Sequence, residues 1–328
     1  MELLLLTASA IVLLSLIWDM FITVLSGNGA GPLSKIWYRL VWWGLLAIHE
    51  HRPIHRLLSL AGPFMLLTSI LLWYVMLAAA LFLALAALPG TVENNLTGEP
   101  ADLLELAYFV STTISSLGYG DQVPSGFPWT MASTVATLGG TMIITISLSY
   151  VLAVLAAAIE RRKLAQGIFG LGETAPEIIE NAKLHDSQQS LKVHVLNLTS
   201  ELDHQALKNL AYPVLKYFHS PRANLSAARA ILLLSDAFFL RSILPEEKRP
   251  AQGLLHVVDG SIARYVELSK ANPTGRSEQG AVLTHLREAA RESGATDEMN
   301  ETFDVALKSY LPRRNRLVQI CRMDGWHE

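Results

Sequence analysis

The stretch "STTISSLGYGDQVP", residues 111–124, sets Gly118 and Gly120 one residue apart between apolar runs long enough to cross a membrane. Glycine costs about 1 kcal/mol relative to alanine inside a helix, so the chain should leave helical geometry near Ser116. Irregular backbone in hydrocarbon would leave its N–H and C=O groups without partners. It survives only where protein covers it or where it lines a path for water or ions. Two glycines so spaced reach conformations closed to other residues and can turn successive carbonyls to one side. A column of carbonyl oxygens can replace the hydration shell of a cation.

Outward from this stretch, three segments meet the roughly 20 apolar residues that a hydrocarbon core about 30 Å thick demands. Leu3–Leu25 carries one charge, Asp19; Ala61–Leu88 and Pro128–Ile159 carry none. The first lacks the positive n-region of a signal peptide and reads as a span over residues 1–26. Residues 27–60 hold "KIWYRLVWWGLLAI" (35–48), whose apolar run is short and whose Lys35 and Arg39 share one helical face. Its aromatics, Trp37, Tyr38, Trp42 and Trp43, suit headgroup level. It is expected to lie on the membrane surface, a short fourth span being the alternative. Asp19 should either pair with Lys35 or Arg39 or reach toward the interface.

Charge divides the 328-residue chain. Residues 1–160 hold four Lys or Arg against nine Asp or Glu, whereas residues 161–328 hold the other 22 basic and 20 acidic groups. A membrane part is therefore followed by a water-soluble part. Basic residues lie at 35–56 and in "ERRK" (160–163), with none from 57 to 160, which predicts those two regions on the cytoplasmic side and the N-terminus and residues 89–128 outside. The expected location is a plasma membrane or a bacterial inner membrane. A lone cysteine, Cys321, excludes an intrachain disulfide, and no basic cluster suits nucleic acid.

The residues "STTISSLGYGD" resemble the pore-loop potassium channels, whose filter runs Thr-Val-Gly-Tyr-Gly-Asp after a short pore helix. The resemblance covers about residues 61–160 and implies an all-α integral membrane channel with three transmembrane helices and one re-entrant pore helix per subunit. The outer helix would run 61–88, the pore helix 102–115, the filter 116–120 and the inner helix 128–160. By the same resemblance Ser116 supplies a hydroxyl site, Leu117, Gly118, Tyr119 and Gly120 supply carbonyls, and K+ sits at Ser116, Leu117, Gly118 and Tyr119. Asp121 stands at the outer mouth, and Tyr108 and Phe109 pack behind the filter. Two positions depart from the family. Serine replaces threonine at 116, and Thr112 stands where some members place a glutamate that pairs with the filter aspartate. One pore loop cannot enclose an axial path, so a homotetramer is implied.

Asp102 lies near the start of the pore helix. The loops around it carry Glu93, Glu99, Glu105 and Asp121 with no basic residue, either to concentrate cations or as plain solvated carboxylates. "NLT" at Asn95 matches a glycosylation sequon. In the inner helix Gly139 and Gly140 mark a hinge or a close approach, with Gly140 where the family often bends. Thr134, Thr137, Thr141 and Thr145 share one face, lining a cavity or bonding their own i−4 carbonyls.

No span carries the regular arginines of a voltage sensor. "FGLGETAPE" (169–177) follows a membrane helix and lacks a third glycine, so it is no dinucleotide site. Residues 161–328 read as an all-α cytoplasmic domain with helices near 175–185, 187–200, 203–219 (kinked at Pro213), 223–244, 250–271, 278–293 and 297–310. "SAARAILLLSDAFFLRSIL" is its buried centre, and an unidentified ligand or protein is a possible partner. His49, His51 and His55 offer a proton-sensitive junction or, less readily, a metal site. No catalytic constellation occurs, and no cofactor beyond K+ as permeant ion is implied. The expected function is passive potassium conduction, not enzymatic; a weakly selective cation channel and a receptor or scaffold with a vestigial pore are the alternatives.

Overall fold

The computed structural model describes residues 1–51, 55–184, 188–245, 252–269, 279–295 and 300–326. It is 79% helical. The chain divides into two compact units, Met1–Val41 with Pro63–Val154, and Trp42–Gly62 with Leu155–Glu328.

In the first unit, α1 (Glu2–Met20) continues through a π-helical turn, Phe21–Leu25, and is followed by the opening turns of α2 (Pro32–His51). The short α3 (His55–Ser59), which belongs to the second unit, precedes α4 (Ala61–Ala86). A strand β1 (Val92–Asn94), the helix α5 (Leu103–Ile114), a strand β2 (Gln122–Pro124) and α6 (Trp129–Phe169) complete the unit, β1 and β2 pairing antiparallel with Glu93 opposite Val123. Among the described residues three helices are long and apolar enough to cross a membrane: α1 with its π turn, α4 and α6. Their exposed Leu, Val and Ile side chains suit a solvent of acyl chains. The inner sides of α4 and α6 enclose α5 through Trp73, Leu77, Leu81, Phe109, Val110, Ile114 and Ile143.

Asp19 differs from both of its expectations. It is fully buried, and its carboxylate accepts from Leu33 N–H at 2.8 Å, Ser34 N–H at 3.1 Å, Ser34 Oγ at 2.5 Å and Trp73 Nε1 at 2.9 Å. A carboxylate on α1 thus caps the N-terminus of α2, where unpaired N–H groups and the helix dipole favour an anion, while α4 contributes an indole donor. Any Cβ at Gly31 would overlap the Asp19 carboxylate, so glycine is required for this approach. Lys35 and Arg39 remain exposed and make no ion pair with it among the described residues. The helix is also longer than the expected 35–48. Trp37 donates to Thr68 Oγ1 at 2.9 Å and Tyr38 is buried, so both aromatics turn into the unit rather than toward headgroups. Asp19→Ala would strand several buried donors at about 1–3 kcal/mol each. We expect it to cost about 3 kcal/mol, read as a fall in the thermal midpoint in detergent, whereas Lys35→Gln and Arg39→Gln should stay within about 0.5 kcal/mol. An unchanged midpoint for Asp19→Ala would remove the cap from the stabilising contacts.

The second unit is helical: the end of α6, α7 (Ala175–Leu184), α8 (Gln188–Ala211), α9 (Ala227–Ile243), α10 (Gln252–Leu268), α11 (Gln279–Glu292) and α12 (Asn300–Met323). Thirteen of the seventeen residues of α9 are buried, which makes it the centre of the unit. Leu232 and Leu234 face a core with Leu164, Leu202, Ile262 and Leu317; Phe239 and Leu240 face another with Ile179, Leu286 and Leu307. The expected helices 187–200 and 203–219 are instead one helix, α8, ending at Ala211. Pro213 does not kink it but opens a 3-10 turn, Pro213–Tyr217, where its missing N–H costs nothing. α12 does not stop at 310; it continues past Pro312 to Met323. Beyond that proline, Arg314 Nε reaches Asp236 Oδ1 at 3.0 Å, and Tyr310 donates its hydroxyl to the same oxygen at 2.5 Å. Burial, then the neighbouring Asp236, pushes the Tyr310 phenol well above its ordinary pKa, so it remains a donor. The side chains of His49, His51 and His55 lie outside the described residues.

Candidate ion-conduction site

The site begins with the capping of α5. Asp102 Oδ1 accepts from Leu104 N–H and Glu105 N–H at 2.8 Å each, and Glu105 returns an oxygen to Asp102 N–H at 2.9 Å. This reciprocal box fixes where the helix starts. At its other end the chain leaves the helix but stays tethered: Ser116 N–H donates to Thr113 O at 3.1 Å, and Leu117 N–H to Thr112 O at 2.9 Å.

From here φ changes sign residue by residue. It is +60° at Ser116, +51° at Gly118 and +81° at Gly120, while Leu117 and Tyr119 stay on the negative side. In an ordinary strand successive carbonyls alternate; alternating handedness cancels that alternation and aims them to one side. Both glycines are the residues for such a conformation. Ser116 is not, and a non-glycine residue held there costs on the order of 1–3 kcal/mol. Its hydroxyl lies 3.3 Å from Thr141 Oγ1 on α6.

The remaining expected site residues fall around this segment. Phe109 is buried behind it. Tyr108, expected beside it, is exposed on the single chain. Thr112 donates its own hydroxyl to Phe109 O at 3.0 Å, and its carbonyl accepts from the N–H groups of Leu117 and Gly118 at 2.9 and 3.3 Å. Gly140 sits where a Cβ would overlap the Ile114 carbonyl, so it serves a close approach of α6 to α5; α6 continues unbroken through it. Gly139 has only ordinary contact distance to Leu77. Thr134, Thr137, Thr141 and Thr145 each donate to the carbonyl four residues back, at 2.8 to 3.1 Å, and Thr137 also reaches Thr113 O at 3.2 Å.

Asn95 escaped sequence reasoning. Its Nδ2 donates to Gly120 O at 3.0 Å and its N–H to Asp121 O at 2.9 Å. The Gly120 carbonyl, expected among the ion ligands, is therefore drawn to the loop. Only a sequon marked Asn95 in the sequence, and that pattern carries no hint of a strap.

A short capped helix followed by a segment of alternating φ, between two helices long and apolar enough to span a membrane, is the arrangement expected of a pore-loop channel domain. Residues 68–157 match the ion channel family of the two-span pore-loop type, and the protein is a membrane protein carrying that domain. It is also similar to the uncharacterized membrane protein YdjJ of Bacillus subtilis (strain 168), 27% identical over 320 residues that cover 97% of this chain and 91% of the relative. No solved structure matches the chain.

Proposed function

We propose that the protein is a potassium-selective channel in which four copies surround one axis and K+ passes through rings formed by Ser116 Oγ and the carbonyls of residues 116–119. The alternating φ at Ser116, Gly118 and Gly120 carries this reading. A lone chain supplies one wall of such a path. Consistent with that, Leu117 and Tyr119 are 56% and 69% exposed, surfaces a neighbouring copy would cover. The N-terminus and the loop with Asp121 face outward, and the helical unit faces the cytoplasm. Glu93, Glu99 and Asp121 raise the cation concentration at the outer mouth, an effect that falls with salt. Conduction is passive and needs no cofactor.

The test is the reversal potential of liposome-reconstituted protein under a potassium gradient against sodium. A value close to the potassium equilibrium potential is expected. Reversal near zero would replace the proposal with a nonselective cation pore. Silence would favour a receptor or scaffold.

A further inference from the structure

Arg161, on the part of α6 that belongs to the second unit, is only 7% exposed although the sequence places it in a basic cluster. Its Nη2 meets Asp324 Oδ1 at 2.9 Å and its Nη1 donates to Leu215 O at 2.9 Å. Asp324 Oδ2 accepts from Ser226 Oγ at 3.0 Å, and Ser226 is the N-cap of the central helix α9. The Asp324 carbonyl accepts from His219 Nδ1 at 2.5 Å, which fixes the hydrogen on that nitrogen. Trp326 closes the cluster between the His219 ring, 5.5 Å away, and the Arg229 guanidinium, 5.2 Å away. The last turn of the chain is thereby locked to α6, to α9 and to residues 215–219.

Those same residues grip the approach to α4. Gly62 admits the Phe218 ring where any Cβ would overlap it, and Tyr217 lies 5.2 Å from Trp42. At Gly325, where φ is +80°, a Cβ would come within 2.5 Å of Leu58. The residues that lead into the outer helix and the residue that leaves the inner helix are thus held by one segment. A buried ion pair adds little net stability over a well-packed apolar pair; its best-attested contribution is registry.

We infer that Arg161 and Asp324 are positioning residues for the conduction path. Resting on the channel reading above, the pair fixes α6 against the helical unit, and the state of that unit reaches the pore through it. Removing the pair leaves the filter intact but frees α6.

The full chain tests this in liposomes with Asp324→Asn, which keeps the shape of the side chain, Arg161→Gln, and Arg161→Lys as the conservative replacement. Asp324→Asn and Arg161→Gln should each change potassium flux per channel by about tenfold, the equivalent of 1.4 kcal/mol in an opening equilibrium, with the reversal potential unmoved. Arg161→Lys should recover most of the change. Spin labels on the exposed Ile159 of assembled copies give a second readout that does not depend on the ion: Asp324→Asn should shift or broaden their mutual distances. Unchanged flux in a correctly assembled Asp324→Asn, or a reversal potential that moves with the flux, overturns the inference. Should the wild type itself show no potassium selectivity, the channel reading fails alone, and the spin-label distances decide the positioning role: unchanged distances in Asp324→Asn overturn it.

Discussion

Gly118→Ala should abolish potassium flux while leaving the assembled protein in detergent. A Cβ at Gly118 would meet nothing within 4 Å, so no clash enters the argument. The cost lies in φ, held at +51°, a region that an L-residue enters at about 1–2 kcal/mol. In the proposed assembly of four copies the penalties would converge on one filter and sum to about 4–8 kcal/mol, enough to cut conduction about 1,000-fold or more once the alanine filter relaxes away from the conducting geometry. Potassium efflux from liposomes measures this, with the thermal midpoint as control. Flux retained at half the wild-type level would mean that the left-handed conformation at 118 does not support conduction.

The second large effect separates two adjacent glycines. Gly140→Ala would drive a Cβ into the Ile114 carbonyl, which is backbone and cannot swing aside, so α6 must separate from the end of α5. Overpacking of this kind costs about 1–3 kcal/mol in a soluble core and more where backbone is the obstacle. Loss of the oligomer on size exclusion and loss of flux are expected together. Gly139→Ala meets only Leu77, at 3.6 Å, and gains up to about 1 kcal/mol of helix propensity. It should assemble normally. A hinge shared by both positions predicts the reverse, with assembly normal in each and conduction impaired in each.

The sequence made the channel part legible because its determinants are local. Long apolar runs specify spans by composition, Asp102 stands near the start of the short helix, and two glycines after hydroxyl-rich residues announce a change of backbone conformation. What escaped depends on distant partners. The left-handed φ of Ser116 arises from the tether to Thr112 and Thr113, where propensity alone would forbid it. Asp19 draws its donors from 14, 15 and 54 residues away, so a search for nearby basic residues could not find them. α12 runs through Pro312 into a segment anchored by Arg314 on a buried aspartate, 78 residues back. The same distance problem hides Asn95, whose role exists only once the chain has returned 25 residues later.

The threonine ladder of α6 has a consequence for anions. Thr134, Thr141 and Thr145 spend their hydroxyl hydrogens on carbonyls of their own helix, and those three side chains are exposed on the single chain. Such a surface presents oxygen lone pairs and keeps its O–H groups turned inward. Chloride beside it would find no hydrogen to replace those of its lost water, whereas a cation or the proton of a water molecule finds a ready acceptor. If the proposed conduction path runs along this face, charge discrimination there needs no charged side chain.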